Sequence, residues 1–249
     1  MSSITIIPPV AITSGMITAS NVADSTNRMK AFDTSTTSQT TNSGTITYEI
    51  LPGQIINGVA ALNVEASSVR VRVDDPTEGV VYDKTMSLAG VIPASGWWQY
   101  FFATAHPTTQ ALFTDMPAYG GASILIDIDA GSDTAAVGVL VLGQQITLPV
   151  TVQYGASIRA IDFSRKETDD FGDLVWIKRR NSRLVELPCL IPTDMVDPIM
   201  DILADQGLCV WVMDTITSNL TVYGWYQDLS TVINYDNISD CNIELQRLT

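Results

Sequence analysis

The chain has 249 residues, of which 46% are hydrophobic and only 16% are charged, and its formal net charge is −14. This length admits one large domain or two ordinary ones. A surface this acidic repels phosphate backbones and anionic lipid headgroups, so we expect neither nucleic acid nor a membrane as a partner.

The first part of the chain contains no predicted targeting segment, and its short apolar runs alternate with Thr, Ser, Asn and Gly. Residues 1–9 lack a basic region and end in two prolines, which argues against a signal peptide and for synthesis in the cytosol. Residues 34–43 are almost all Ser or Thr, so we expect an exposed loop or a sheet edge there.

Strand patterns become dense after Gly44. Residues 68–73 alternate valines with Ser68, Arg70 and Arg72, which is typical of a half-buried strand. Similar patterns occur at 45–50, 59–64, 123–128 and 136–142, with turn residues between them. This spacing predicts an N-terminal β-sandwich or jelly roll.

An aromatic run at residues 97–102 is the most unusual local feature. Exposed aromatic rings stack on sugars, so Trp97, Trp98 and Tyr100 are candidate glycan-binding residues. Core or interface packing is the competing interpretation, because both faces of such a strand would be apolar.

Catalytic and cofactor motifs are missing from the sequence. One histidine, His106, cannot build a Ser-His-Asp triad or a multi-histidine metal site by itself. No phosphate-binding glycine motif is present, and we predict no enzyme activity, cofactor or bound metal. Two sets of acidic residues could bind Ca²⁺ through their carboxylates, but neither has the spacing of an EF-hand. We therefore prefer to interpret both sets as parts of structural turns. These groups are Asp74, Asp75, Glu78 and Asp83, and Asp127, Asp129 and Asp133.

A boundary near residues 145–150 divides the chain into predicted domains 1–148 and 149–249. In the second domain, residues 174–177 and 184–187 are expected to form a hairpin. A single helix is predicted over 195–206, N-capped by Asp194 or Asp197 and ended by Gly207. Strands at 208–213, 220–225 and 241–245 complete a C-terminal β-sandwich with one helix.

Two further groups in this domain call for interpretation. A basic cluster, Lys178, Arg179, Arg180 and Arg183, lies near Asp169, Asp170, Asp173 and Glu186 in the sequence, which favours a solvated turn over an anion site. The three cysteines, Cys189, Cys209 and Cys241, are odd in number and lack a C-x-x-C motif. We therefore expect buried reduced thiols.

The order of these patterns resembles structural proteins of phage tails. The first half is similar to a galactose-binding-like jelly roll, a fold found in carbohydrate-binding modules and in phage tail scaffolds. The segments that carry this likeness are 28–33, the Ser/Thr tract, 69–73 and 137–143. The second half resembles the tail-tube fold of distal tail proteins, on segments 163–166, 174–187, 195–206, 210–212, 223–226 and 241–248.

The resemblance implies a structural protein of a distal tail or tail-tip ring, made in the bacterial host cytoplasm and located in the virion tail. Its partners would be other tail proteins and its own copies, in a trimer or hexamer built through residues 150–249. Unpaired backbone groups on the final strand favour such pairing. Candidate subunit-interface residues are Trp211, Tyr223, Trp225 and Tyr226.

Two other functions remain open. A glycan-binding adhesion module would contact host polysaccharide through the aromatic run. The other hypothesis is that the chain forms the accessory domains of a secreted glycosidase. The lack of a signal peptide and of paired-acid motifs argues against it.

Overall fold

A computed structural model describes residues 3–90, 107–168, 174–214, 219–233 and 236–248. The chain forms two compact units, which we name by their positions in the sequence. The N-terminal unit is Pro9–Gln145, and the C-terminal unit combines Met1–Pro8 with Ile146–Thr249. Both are built mainly from antiparallel strands, so the predicted mainly-β class is confirmed.

The described residues of the N-terminal unit form seven strands and a short helix, α1 (Ser25–Met29). Its strands are β2 (Ile17–Ser20), β3 (Thr40–Ile50), β4 (Gly58–Glu65), β5 (Ser68–Asp75), β6 (Gly79–Ser87), β7 (Gln110–Phe113) and β8 (Ser123–Gly143). The sheet order is β2-β3-β8-β4-β7, with β5 also paired to β8 and β6 paired to β5.

Strand β8 organises this unit because its two halves have different neighbours. Residues 123–129 pair with β5, residues 136–143 pair with β4, and β3 spans the junction. Two separate strands are predicted here, but Gly131 has a φ of 67°, which lets one strand bend without ending. Side chains from both halves, such as Ile126 and Leu142, share one hydrophobic core.

The alternating strand at residues 68–73 is confirmed. Val69, Val71 and Val73 are buried, while the arginines between them lie on the other face. The Ser/Thr tract differs from its prediction, because Thr40 begins β3 and is fully buried. Its hydroxyl group donates to the Asn27 carbonyl at 2.7 Å and accepts from the Ala31 amide at 3.0 Å, so a core position satisfies this polar side chain.

In the C-terminal unit, the part of the chain that the structure describes forms ten strands and helix α2 (Val196–Asp205). The strands are β1 (Ile4–Ile7), β9 (Ile146–Leu148), β10 (Thr151–Val152), β11 (Ser157–Asp162), β12 (Arg165–Thr168), β13 (Leu174–Ile177), β14 (Asn181–Pro192), β15 (Cys209–Asp214), β16 (Asn219–Val232) and β17 (Ile238–Arg247). The main sheet runs β10-β14-β17-β16-β15-β1-β9, with β11 also on β14.

The first strand lies in the C-terminal unit, which the predicted domain 1–148 does not anticipate. Strand β1 pairs with β15 on one side and with β9 on the other. Its apolar sequence therefore fills a central sheet position, where Ile4 and Ile6 are fully buried. The chain consequently passes between the units twice, after Pro8 and after Gln145.

Two predictions for the second half of the chain are wrong, namely one hairpin and the position of the final strand at a sheet edge. Strand β13 pairs with β12 in a separate two-stranded sheet, whereas β14 pairs with β10, β11 and β17. The final strand, β17, lies between β14 and β16 and is not a sheet edge. The first error arises because β13 pairs with the strand that precedes it and not with the one that follows. The second arises because local patterns identify strands but not their distant partners.

Helix α2 agrees with the predicted helix except at its cap. It begins after Met195, with no side-chain cap hydrogen bond, so neither Asp194 nor Asp197 is its N-cap. The buried face consists of Val196, Ile199 and Leu203, which join the core of the C-terminal unit. The aspartates of the helix are left on its exposed face.

Candidate functional site

The candidate glycan-binding residues Trp97, Trp98 and Tyr100 lie outside the described residues, as does His106. Pro107 and Thr109, which follow these residues in the sequence, help to line a cavity of about 360 Å³ in the N-terminal unit. Its lining combines the carboxylates of Glu65 and Asp133 with the hydroxyl-bearing residues Ser67, Thr109 and Thr134. Val64, Ala66, Pro107 and Ala130 complete the lining, so the cavity suits a small ligand with both apolar and hydrogen-bonding groups.

The acidic groups considered for calcium make contacts within the protein. Asp83 forms a salt bridge with Arg70, and the hydrogen bond from Arg70 holds the pKa of this carboxyl below its ordinary value. Asp75 accepts the Thr77 amide at 2.9 Å, and Asp129 accepts the Gly131 amide at 2.8 Å. Within the described ranges, no three acidic, Cys or His residues cluster as metal ligands would. The turn interpretation fits Asp75 and Asp129, whereas Asp83 lies on strand β6 and pairs with Arg70.

The three cysteines are free and buried. Cys189 and Cys241 lie directly opposite each other on β14 and β17. Hydrogen bonding to Cys241, and then burial, raise the pKa of the Cys189 thiol. Burial raises the pKa of Cys209 to about 12. Because the thiolate is the reactive form, we expect Cys189 and Cys209 to react slowly with electrophiles.

The four candidate interface residues occupy different environments. Trp211 is fully buried in the core of the C-terminal unit, where its indole N–H donates to the Gly224 carbonyl at 3.2 Å. Tyr223 is also buried, and Tyr226 is half-buried against the core. Trp225 alone among them is exposed, at 37% of its surface.

Exposed apolar side chains are nonetheless concentrated in the C-terminal unit. Of the 14 exposed large hydrophobic residues in the described part of the chain, 11 belong to this unit. They are Tyr154, Ile158, Phe163, Trp176, Ile177, Met195, Met200, Trp225, Val232, Ile233 and Ile238. The other three, Leu51, Ile55 and Val80, belong to the longer N-terminal unit.

One group of these side chains surrounds the basic cluster. Strand β11 pairs with the start of β14, which places Ala160 opposite Arg183. Beyond this pairing, the Arg179 amide donates to the Ser164 hydroxyl at 3.1 Å. Phe163, Trp176 and Ile177 are exposed around this point. Sequence analysis missed this grouping because it assigned residues 174–187 to one hairpin.

A second group lies at the other end of β14. Pro192 is in register with Ile238, and the Thr193 amide donates to the Asn237 carbonyl at 3.2 Å. The start of helix α2 therefore adjoins the turn between β16 and β17. Met195, Met200, Val232, Ile233 and Ile238 are all exposed in these segments.

Comparisons with known proteins give little further identification. No family model matches the chain, and no curated protein matches it. A solved structure of a selenomethionine-labelled mutant of chitosan-binding module 1, from a chitosanase/glucanase of Paenibacillus sp. IK-5, matches 55% of this chain and 99% of its own. The identity is 11% and the TM-score is 0.37, so we base no functional conclusion on this match. No described helix is long and apolar enough to cross a membrane.

Proposed function

We propose that this protein is a structural subunit that assembles with its own copies through the C-terminal unit. The tail-protein resemblance suggests the setting, a ring at the distal end or tip of a phage tail that docks other virion proteins. In this setting the ring would be a trimer or a hexamer. In this proposal the protein is made in the bacterial host cytoplasm and ends in the virion tail.

The uneven distribution of exposed apolar residues is the main support for this proposal. Monomeric proteins expose single apolar side chains everywhere, but contiguous exposed groups mark interaction surfaces. Among the residues that the structure describes, which leave out 91–106 of the N-terminal unit, 11 of 14 such side chains lie in the C-terminal unit, and most of them fall into the two groups at the ends of β14. Burying them against another copy would remove them from water.

Sheet edges add support of a second kind. Strand β11 pairs with β14 alone among the described strands, so its other side has no strand neighbour there. A row of backbone N–H and C=O groups on such an edge can accept another strand. Ile158 on this strand is exposed as well.

Sedimentation of the purified protein over a range of concentrations tests assembly, and electron microscopy tests whether rings form. Val232→Ser should weaken self-association roughly tenfold, because burying a Val side chain contributes about 1.5 kcal/mol. Val80→Ser in the N-terminal unit is the matched control. The two valines are 58% and 55% exposed, so the substitutions differ mainly in location.

A strictly monomeric protein, up to millimolar concentration and in the virion itself, would contradict the proposed function. Equal effects of Val232→Ser and Val80→Ser would show that assembly does not depend on the C-terminal unit.

Glycan binding is the second candidate, and the cavity of the N-terminal unit is the observation that favours it. Carboxylates and hydroxyl groups line this cavity, and such groups hydrogen-bond sugar hydroxyls. Affinity electrophoresis against a panel of bacterial polysaccharides would test the binding. Glu65→Gln combined with Asp133→Asn should weaken any retardation, whereas Asp24→Asn, at an exposed helix cap outside the cavity, should not.

A further inference from the structure

Charge in the C-terminal unit is separated along strand β14. We define the basic end as residues 157–168 and 174–183, which include the first residues of β14. Its described residues include seven Lys or Arg residues and two acidic residues, and the sequence between the two ranges, 169–173, adds three aspartates, so the net charge is +5 without that segment and +2 with it. The basic residues are Arg159, Arg165, Lys166, Lys178, Arg179, Arg180 and Arg183.

The acidic end is defined as residues 192–201, 232–233 and 236–240. It contains Asp194, Asp197, Asp201, Asp236 and Asp240, and no Lys or Arg. Pro192, the last residue of β14, is in register with Ile238 within this end. The two ends thus carry opposite charge in a chain whose overall charge is negative.

The two ends are too far apart to neutralise each other within one subunit. Asn181 and Pro192 are the first and last residues of β14. Eleven residue steps along a strand span roughly 36 Å. Charges at this separation are largely screened, because the Debye length is about 8 Å at physiological ionic strength.

Key charges at both ends also lack ion-pair partners among the described residues. The salt bridges there involve Arg159 with Glu186 and Arg165 with Glu167, which leaves Lys178, Arg179 and Arg183 without one. Asp197 and Asp201 are likewise unpaired in that part of the chain, and they lie four residues apart on one helix face. Like charges at this spacing repel each other, so a cationic partner would stabilise the helix.

Exposed apolar side chains accompany the charges at each end. The basic end exposes Ile158, Phe163, Trp176 and Ile177, and the acidic end exposes Met195, Met200, Val232, Ile233 and Ile238. Each end therefore has exposed apolar side chains that a partner could bury, and a net charge that favours a partner surface of opposite charge. These are the features of the centre and rim of a protein interface.

We infer that the basic end of one copy docks on the acidic end of the next copy. This inference rests on the proposed function and names the two surfaces that meet. Such a contact is heterologous, since different surfaces of identical subunits are joined head to tail. Repeated contacts of this kind form a closed ring when the rotation between neighbours allows closure.

Charge reversal tests the contact without disturbing the core. Arg179→Glu with Arg183→Glu makes the basic end more negative by four charges, and Asp197→Lys with Asp201→Lys makes the acidic end more positive by four charges. All four side chains are exposed. Each double variant should self-associate at least tenfold more weakly than the natural protein in sedimentation at 50 mM salt. Thermal melting of each variant checks that it is folded.

Mixing the two double variants provides the decisive measurement. In a hexameric ring an equimolar mixture should recover assembly, because in alternating order every contact joins either two unaltered ends or two ends whose charges have been exchanged. A trimer cannot alternate, so the mixture would then recover only pairs of subunits. Lys30→Glu with Lys84→Glu in the N-terminal unit is the matched control, since it changes the net charge as much as the arginine variant does. This control should assemble normally.

The outcomes separate this inference from the proposed function. If both reversal variants assemble like the natural protein, or if the mixture recovers nothing, the named surfaces are wrong while assembly itself stands. If the natural protein never self-associates, the proposed function fails and this inference fails with it.

Discussion

At the scale of single residues, Thr40 shows how one polar side chain can hold a loop to a sheet. Its buried hydroxyl joins the Asn27 carbonyl and the Ala31 amide to the first residue of β3. Thr40→Val keeps the shape but leaves both backbone groups unsatisfied. We expect a loss of about 1–3 kcal/mol in the free energy of unfolding, measured by urea denaturation.

Thr40→Ser is the control for this prediction, because it retains the hydroxyl and loses only a methyl group. A Thr40→Val variant as stable as the natural protein would show that the two hydrogen bonds contribute nothing net.

Tyr48 lies beside Thr40 and should make stability depend on alkaline pH. Burial raises the pKa of Tyr48 to about 12, from 10.0, and its hydroxyl donates to the Arg28 carbonyl at 2.9 Å. The unfolded state loses the Tyr48 phenol proton at a lower pH than the folded state does. The stabilisation of the folded state by the protonated phenol is therefore complete below pH 10 and is lost as the pH rises toward 12. It amounts to about 2–3 kcal/mol.

Denaturation at several pH values between 8 and 12 measures this effect. Tyr48→Phe should reduce the slope of stability against pH above pH 10, whereas Tyr154→Phe, at a side chain that is 82% exposed, should leave the slope unchanged. An unaltered slope in the Tyr48 variant would contradict the assignment.

At the scale of elements, the approach of β16 to β17 depends on Gly224. A Cβ atom at this position would overlap the carbonyl oxygen of Gln246. Gly224→Ala should therefore cost about 3 kcal/mol or more, as overpacking and backbone shifts do at their upper range. Thermal melting compares it with Gly207→Ala, where no atom lies within 4 Å of the added methyl. Similar melting temperatures for the two variants would mean that the strands separate easily.

Local sequence patterns predicted those elements whose periodicity reflects their own burial. The alternating valines of β5 and the apolar face of α2 are of this kind. Many strand pairs join residues far apart in the chain, so the partners of β1 and β17 could not be predicted from local order. The exposed groups at the two ends of β14 were not predicted, because each combines residues from separate segments, such as Phe163 with Ile177 and Met195 with Ile238.

At the scale of the whole molecule, the two chain crossings change what limited proteolysis should release. A single cut between the units, near residues 145–150, would leave Ile4–Ile7 paired with β15. Release of the N-terminal unit therefore needs a second cut, near Pro8 and Pro9. We expect native mass spectrometry to show singly cut protein still at full mass, and to show separate fragments after denaturation.

Deleting residues 9–145 and joining β1 to β9 by a short turn provides an independent check. These strands are antiparallel neighbours, with Ile6 opposite Ile146, so a hairpin can close the gap. The shortened protein should fold and unfold cooperatively. Failure of this variant to fold, or immediate separation of singly cut protein, would show that the C-terminal unit does not stand alone.

The C-terminal unit is formed from two separate stretches of the chain, so its strands are synthesised at different times. Strand β1 emerges from the ribosome first but meets β15 only after about 200 further residues, which at 5–20 residues per second takes roughly 10–40 s. The N-terminal unit, by contrast, has all its strands once Gly143 has emerged. Nascent chains on one messenger would then carry a finished N-terminal unit while the sheet that presents both ends of β14 is still incomplete. Translation itself would thereby delay association until each subunit has left the ribosome.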